Sequence, residues 1–411
     1  MLPITFYEGL TQGVNRTEGA KRVFEAVNAA IDNKTIPLNQ FSLGSLAFAM
    51  GVVDPRAIPG TFGEMCFNLS RSGFNSMYDS KNPDRFFQES NPGLLSGAFA
   101  VLSTKLLSSA VVAGYDSAAG MVMDSLIPTV PTSRRFTNIA GVTSLGGGSE
   151  VEDGHPYPET DFSTKWVQTF EKKYGNLLSL SELAMQEDQT PLIMRQAGMV
   201  GEMLRQQREI AMVRAVTDAD TTTYRPLGVA TALYSSTNQN LIGTSGITGY
   251  TSALPLTDWS TIDSILTCRA TKVLDDRIDG TPQPIANLQG PAKLLVPMAL
   301  KSKADYIKTA TTVKLNPGVT SGTSMEFTNP VGGRFDVVSS VYLDSLSAST
   351  YYFGQFDKQF IWSEVWPLQT FMQAAGSEAA FDRDVGLRVK VRYLGGLNAI
   401  DTPYVTKVLG S

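Results

Sequence analysis

One histidine and two cysteines among 411 residues remove most of the chemistry that a chain of this size could perform. Cys66 and Cys268 are too few for a disulfide framework and read as two buried thiols in a reducing compartment. His155 is the one position where a Ser-His or Cys-His couple, or a histidine-ligated metal, could be built. There is no Gly-Lys dipeptide, hence no Walker-type phosphate loop, and no Gly-X-Gly-X-X-Gly follows a strand. Gly-X-Ser-X-Gly, Cys-X-X-Cys and His-Glu-X-X-His are absent as well. Charge is also scarce: Asp, Glu, Lys and Arg make up 18% of the chain, against about 25% in an average soluble domain. With 34 basic and 39 acidic residues the net charge is -5, which argues against a nucleic-acid binder that works through a dominant basic surface. The hydrophobic fraction of 42% is ample for a core. A surface so poor in charge is therefore expected to face other protein more than water.

The length corresponds to about two to three domains. The first residues, MLPITFYEGLTQG, lack a basic region followed by an apolar run, so a secretory signal is not expected. Without secretion, the sequons at Asn15, Asn33 and Asn68 are chance matches. The most apolar stretch, Gly93 to Gly114, has the length of a membrane span. Lys105 at its centre and several Ser and Thr residues make it a buried helix instead.

Periodicity sets out the elements. Residues 15–31 read as a helix with an Asn15/Glu18 capping box and Ala20, Val23, Phe24, Val27 and Ile31 on one face. A short helix is expected over Ser42 to Met50, then an irregular arm through the prolines of 52–93. A long helix follows from Leu94 to Leu126, its Ala98, Ala100, Ser108, Ser109, Ala110 and Ala113 suited to close helix packing. Phe136 to Leu145 and Ser163 to Tyr174 read as the strands of a long hairpin with a wide, acidic, glycine-rich tip. Both faces of this hairpin are mixed, so it needs a partner surface.

From Asp188 or Thr190, with Pro191 in the first turn, a helix runs to Val216. Its stripe is Ile193, Ala197, Val200, Leu204 and Ala211, interrupted between Leu204 and Ala211, with Arg195, Arg205, Arg208 and Arg214 on its flanks. Residues 220–256 read as loop. Asp258 caps a helix with Ile262, Ile265, Leu266, Val273 and Leu274 on its core face. Leu294 to Val296 is a short buried strand, Ala299 to Thr309 a helix, and Val313 to Gly333 a polar loop. Phe335 to Leu343, Tyr351 to Phe356 and the alternating Val385 to Tyr393 are strands, the last with Val385, Leu387, Val389 and Val391 inward.

The densest set of reactive side chains is Ser149, Glu150, Glu152, Asp153, His155 and Glu159. Catalysis or metal binding would require these groups to be held rigidly and to converge. In a hairpin tip between glycines and prolines they read as a solvated acidic loop. Asp275, Asp276 and Asp279 lack the spacing of a calcium loop. No catalytic, cofactor or metal residue is expected.

In its order of elements, the chain resembles the major capsid proteins of tailed bacteriophages with the Hong Kong 97-type fold, from about Pro128 to Lys407. Phe136 to Pro158 resembles the family's extended E-loop, and Tyr174 to Asp188 its run into the spine helix. Leu294 to Ala299 (LLVPMA) and Asn329 to Leu343 (NPVGGRFDVVSSVYL) resemble its axial domain. Phe381 to Tyr393 (FDRDVGLRVKVRY), then Asp401 to Tyr404, resemble its closing peripheral strand. The resemblance implies an α+β fold: an N-terminal arm with helices (1–127), an E-loop β-hairpin (128–183), a peripheral-domain spine helix (184–223), an axial domain (224–356) and peripheral return strands (357–411). Residues 1–127 lack the charge and heptads of the family's removable scaffolding segments, and they are expected to stay in the shell as an enlarged arm.

The resemblance further implies a structural protein that self-assembles into hexamers and pentamers, forming the icosahedral head around the double-stranded DNA of a tailed phage. Implied partners are the protein itself, a portal at one vertex, the packaged DNA held non-specifically and, where a phage uses them, a scaffold, a protease or a decoration protein. No cofactor and no membrane are implied. The location is the virion capsid, after assembly in the bacterial host cytoplasm. Inter-subunit contacts fall on the E-loop: Gly146, Gly147, Gly148, Glu150, Glu152, Asp153, Tyr157, Glu159 and Trp166. Some relatives join a hairpin Lys to a peripheral Asn of a neighbour, and Lys165 with Asn398 is the loosely matching pair here. Two alternatives stand beside this reading. One is an encapsulin-type nanocompartment shell, whose chains usually lack so long an N-terminal extension. The other is a soluble enzyme using the acidic loop around His155.

Overall fold

A computed structural model describes residues 16–33, 36, 46, 92–142, 151, 153, 164–181, 190–243, 252–274, 283–284, 290–315, 325–374 and 385–410. In chain order the elements are helix α1 (Arg16–Asp32), helix α2 (Pro92–Ser117), a 3-10 turn (Met123–Ser125), β1 (Thr129–Pro131), β2 (Asn138–Val142), β3 (Thr164–Gln168), β4 (Lys172–Ser181) and helix α3 (Thr190–Val216). Then come β5 (Leu241–Ile242), α4 (Trp259–Ala270), β6 (Val273–Leu274), β7 (Gln283–Pro284), β8 (Ala292–Pro297), α5 (Met298–Thr309), β9 (Thr312–Leu315) and β10 (Met325–Thr328). The chain closes with β11 (Phe335–Ser340), α6 (Val341–Asp344), β12 (Tyr351–Gly354), α7 (Phe356–Gln359), β13 (Phe360–Ala374), β14 (Val385–Ala399) and β15 (Val405–Val408). These elements form two compact units. The first holds Met1–Ala119, Lys173–Gln207 and Pro367–Tyr393; the second holds Gly120–Lys172, Arg208–Trp366 and Leu394–Ser411.

In the first unit, α1 buries the face that its spacing sets out: Ala20, Val23, Phe24, Val27 and Ile31, with Ala30. Asn15, the proposed cap, lies outside the described residues. Helix α1 packs on α2, and the lysine inside the apolar run is answered there: Lys105 donates to the Asn28 side chain and pairs with Asp32 at 2.7 Å. Helix α2 ends at Ser117, short of the expected Leu126, and the chain makes the 3-10 turn before Pro128. Glycines set the distance between α2 and α3. A Cβ on Gly114 would stand 2.1 Å from the Gly198 carbonyl oxygen, and one on Gly201 would stand 2.1 Å from that of Val111. No side chain fits at such a crossing. In this unit the strands run in the order β13-β14-β4, and the Tyr174 and Tyr393 rings stack 5.1 Å apart.

The second unit is built on a mixed five-stranded sheet, ordered β11-β8-β12-β15-β5. Strand β8 runs parallel to β11 (Leu294↔Val337) and antiparallel to β12 (Leu294↔Phe353); β15 runs antiparallel to β12 and parallel to β5. Leu294, Val296, Tyr351, Phe353, Val408 and Ile242 meet Ile262 and Ile265 of α4 and Ala304 and Ile307 of α5 in one core. Strand β8 is buried on both faces, which is why it reads as an apolar run without alternation. Asp258 caps α4 by accepting from the Ser260 N–H at 3.0 Å. In the same unit β1 lies parallel to the start of β13 (Thr129↔Trp362).

Several expectations are corrected. The polar stretch 313–333 is no plain loop: β9 and β10 pair antiparallel from Met325↔Leu315 to Thr328↔Thr312. Val273 and Leu274 are not on the face of α4, which ends at Ala270; they form β6 opposite Pro284 and Gln283. Residues 220–256 are not all loop, since β5 joins the sheet edge through Lys407↔Leu241. Strand β11 stops at Ser340 and turns into α6. Strand β14 continues past Tyr393 to Ala399, and β13, 15 residues long, was not marked by periodicity, although it lies within the range 357–411 given to return strands by the resemblance. Pro367 in its middle argues against a strand. It is tolerated because β1 pairs with only the Trp362–Glu364 part of β13, so among the described residues no strand calls for an N–H at Pro367 on that edge. The helix expected over 42–50 lies outside the described residues apart from Leu46, which is helical and buried. The arm at 52–91 and Asp275, Asp276 and Asp279 lie outside them too.

Candidate functional site

The hairpin is present: β2 and β3 pair antiparallel from Asn138↔Gln168 to Val142↔Thr164. Of its expected contact residues, Gly146, Gly147, Gly148, Glu150, Glu152, Tyr157 and Glu159, together with His155, lie outside the described residues. Asp153 is in a turn and exposed. Trp166, half-buried, sits at the root, where its carbonyl accepts from the Leu227 N–H at 3.1 Å and its ring lies against Gly228. Loop residues 225–229 thereby continue the hairpin: the Gln168 N–H donates to the Arg225 carbonyl at 3.0 Å, and Val167 bridges Pro226.

Around that root the second unit gathers aromatic rings and cations. Phe136 and Phe170 lie 5.7 Å apart. Arg135 stands over Phe136 at 4.6 Å, while Arg225 and Lys172 stand over Phe170 at 4.3 and 5.5 Å. Phe136 and Leu227 both take positive φ, 59° and 52°. For bulky side chains this costs about 1–3 kcal/mol each. Phe136 is held there by its N–H, which donates to the Glu171 carboxylate at 2.9 Å. Sequence reasoning did not find this cluster. Its members come from residues 135–136, 170–172 and 225–227, and no periodicity links them.

Asn398, the proposed crosslinking residue, is buried. Its Oδ1 accepts from the Phe170 N–H at 2.7 Å, and its Nδ2 donates to Ser363 Oγ and the Gly396 carbonyl at 3.3 and 3.2 Å. Lys165 pairs with Gly141 in the hairpin ladder. The spine arginines divide. Arg195 is exposed, Arg205 lies over the Tyr115 ring at 4.9 Å, and Arg214 makes a two-pronged contact with Asp220 (2.6 and 3.2 Å). That contact holds the Asp220 carboxyl below its usual range. Arg208 is not on a flank but buried, bonded to Asp124 at 3.1 Å and Thr129 Oγ1 at 3.0 Å, with Glu364 at 3.7 Å and the Trp362 ring at 4.8 Å. Glu209 beside it accepts from the Val122 and Met123 N–H groups at 2.9 and 3.1 Å, satisfying donors at the start of the 3-10 turn. The break in the apolar stripe after Leu204 was the signal for this clamp.

A pair of buried cations closes the far end of α4. Arg269 donates to the Phe353 and Tyr404 carbonyls at 3.2 and 2.7 Å. Lys272 donates to the Pro403 carbonyl at 3.2 Å and to Thr406 Oγ1 at 2.9 Å. Burial pushes Arg269 down to about 10; burial, with the Arg269 charge adding, pushes Lys272 down to about 7. Both tie the entry to β15 onto the sheet core. Among the described residues no His, Cys, Asp and Glu cluster could hold a metal, and no helix is long and apolar enough to cross a membrane. What the described residues offer is a set of clamps and a surface.

No curated protein matches the sequence. Among solved structures, the chain is similar to a virus-like particle from Pyrococcus furiosus (9% identity, 74% of this chain and 97% of that one, TM-score 0.40). It is similar to the capsid of a native GTA particle (9%, 71% and 90%, 0.44) and to Mycobacterium phage Bobi (14%, 71% and 91%, 0.42). The family model described as "Phage capsid protein" matches residues 167–408, which takes in α3 with Arg208, the five-stranded sheet and both long strands. The chain therefore belongs to the phage capsid protein family and is a structural, shell-forming protein.

Proposed function

We propose that this chain is the major head protein of a tailed phage, closing as hexamers and pentamers into an icosahedral shell around double-stranded DNA. The observation that carries this is the family match across residues 167–408. The structure supports it physically. A shell subunit needs a rigid plate and projecting contacts that differ between five-fold and six-fold surroundings. The sheet core and the long α3 supply rigidity, and the hairpin, with no core of its own, supplies a contact that needs a neighbour. The acidic net charge suits a container that packs DNA without gripping it. On this reading the partners are other copies, a portal at one vertex and the DNA, with assembly in the host cytoplasm and no catalytic role for His155.

Negative-stain electron microscopy with sedimentation of the expressed chain tests the reading. Closed particles, or rings of five and six subunits, are expected. A homogeneous monomer, persisting when scaffold and portal of the same genome are co-expressed, overturns it. Deleting Gly146 to Glu159 is expected to leave soluble capsomers or monomers and no closed shells.

A further inference from the structure

Strain gathers in one part of the second unit. Among the described residues, five that are not glycine take positive φ: Phe136, Asp218, Thr221, Leu227 and Gln239. Phe136 and Leu227 flank the hairpin, one ahead of β2 and the other beside β3. The remaining three lie on the chain that carries Leu227 from the end of α3 to β5. Asp tolerates this backbone; Phe and Leu adopt it only when held. Here each is held by its own N–H. That of Phe136 donates to Glu171 Oε2 at 2.9 Å, and that of Leu227 to the Trp166 carbonyl at 3.1 Å. The bonds that fix the hairpin root are therefore the bonds that keep its two bulky neighbours strained.

The same root leaves polar atoms stranded. Glu171 is fully buried, and its Oε1 has no hydrogen-bond partner among the described residues. Arg225 Nε is buried without such a partner as well. Unsatisfied buried groups of this kind raise the energy of the position that creates them. Residues 224–231 form a tab beside β3. Tyr224 bridges Thr231, and the Gly228 N–H closes the tip by donating to the Arg225 carbonyl at 3.3 Å. Leu227 fills the third place of that turn, where positive φ favours Gly or Asn. The tab meets β3 through the Gln168 N–H on the Arg225 carbonyl, the Leu227 N–H on Trp166 and the Val167–Pro226 bridge. Apart from Tyr224 its residues are half-buried or exposed, so hydrogen bonds hold it more than apolar burial does.

We propose that the tab is a latch: it holds the hairpin in a strained position, and the hairpin is released from it when subunits close into a shell. The proposal rests on the shell-forming reading above and names a moving part of it. Backbone strain persists only where the surrounding structure over-determines it, and it concentrates at switching elements. Release breaks the Gln168–Arg225, Leu227–Trp166 and Phe136–Glu171 bonds. In exchange, Phe136 and Leu227 regain ordinary backbone angles, and Glu171 Oε1 and Arg225 Nε reach water. The two positions therefore differ in free energy by less than the broken bonds alone would set, as a two-state part requires.

Variants of Leu227 in the full chain test this, because they change the strain and leave the bonded backbone atoms in place. Leu227→Asn suits positive φ and is expected to tighten the latch. Hydrogen exchange at the Gln168 and Phe136 N–H groups of the unassembled chain should slow about five- to tenfold. Leu227→Val, β-branched, is expected to speed both. Assembly should follow: Leu227→Asn forms rings of five and six but about tenfold fewer closed shells, as the released population falls. Leu227→Gln removes the same apolar surface without easing the strain, and it is expected to match the parent in exchange and in shells. Unchanged exchange in the Asn and Val variants overturns the proposal. Slowing at Gln168 without slowing at Phe136 also overturns it, since the root would then not move as one. Undiminished shells from Leu227→Asn overturn it too, and so do shells lost equally from Leu227→Gln, which would trace the effect to the missing side chain. If the parent chain forms no capsomers at all, the shell reading itself fails, while the exchange rates still report on the latch.

Discussion

Arg208 stands over Trp362, its guanidinium carbon 4.8 Å from the ring centre, at the place where α3 meets the start of β13 in the second unit. Both side chains are buried, and Asp124 and Glu364 supply the opposite charge. Removing one member of a buried charge cluster strands the others and costs about 3–5 kcal/mol. Arg208→Met is therefore expected to lower the unfolding free energy by about that amount, read from urea titration of the unassembled chain. Arg195→Met, at an exposed position of the same helix, is expected to change it by less than about 0.5 kcal/mol.

The glycines between α2 and α3 give opposite expectations within one interface. Gly114→Ala and Gly201→Ala would each drive a methyl group onto a backbone carbonyl 2.1 Å away, and backbone on both sides cannot yield as a flexible side chain would. A loss of about 1–3 kcal/mol is expected for each. Gly198→Ala meets nothing nearer than 3.8 Å and should gain up to about 1 kcal/mol from helix propensity. Melting curves of the three variants check the order; a stabilised Gly201→Ala would mean that the helices are farther apart than described.

What the sequence shows and hides follows from whether a signal is local. The α1 face, the Asp258 cap and the apolar run of β8 are each written in a few adjacent residues, and the structure has all three. Strand β13 was obscured by Pro367, and the β9–β10 pair by a polar, glycine- and threonine-rich composition that imitates loop. The hairpin was legible because β2 and β3 alternate. The aromatic and cationic root was not, because Phe136, Phe170 and Arg225 meet only through tertiary pairing. Arg208 lay between the two: the gap in the stripe was visible, but its charge suggested solvent, and only Asp124 and Glu364 make burial affordable.

The amide of Asn398 is committed within its own chain to Phe170, Ser363 and Gly396. A covalent link from a neighbour's Lys165 would have to displace Nδ2, which makes two of these bonds, and expose a buried residue. Denatured shells are accordingly expected to give the mass of an unlinked chain, 44.4 kDa, by mass spectrometry, with no ladder of multiples. Asn398→Asp keeps the acceptor for Phe170 but turns an oxygen toward the Gly396 carbonyl where an N–H now donates. A loss of about 1–3 kcal/mol is expected, as for a buried polar group left unsatisfied.

Lys272 gives the folded chain a pH dependence with a definite sign. Its two acceptors, the Pro403 carbonyl and Thr406 Oγ1, match the two N–H bonds of a neutral amine, and burial with Arg269 nearby holds its folded-state pKa at about 7. In the unfolded chain the same amine titrates near 10.4. Between these values the unfolded state binds more protons, so stability rises with pH from about 7 upward and is lost as pH falls through 7. Arg269, Tyr351 and Tyr352 are shifted too, but their unfolded forms change charge near 10 or above; burial also pushes the Cys268 thiol up and the Lys407 amine down, with opposing slopes, so the lysine is isolated by comparing the wild type with Lys272→Met across pH 7 to 9. The melting temperature of the unassembled chain is expected to climb across that window. In Lys272→Met, which fills the same space without a proton to exchange, the climb should flatten while the pH 7 value holds or rises. An equal slope in both proteins would show that Lys272 is charged in the folded chain, and that the entry to β15 is held by an ammonium and not by a neutral amine.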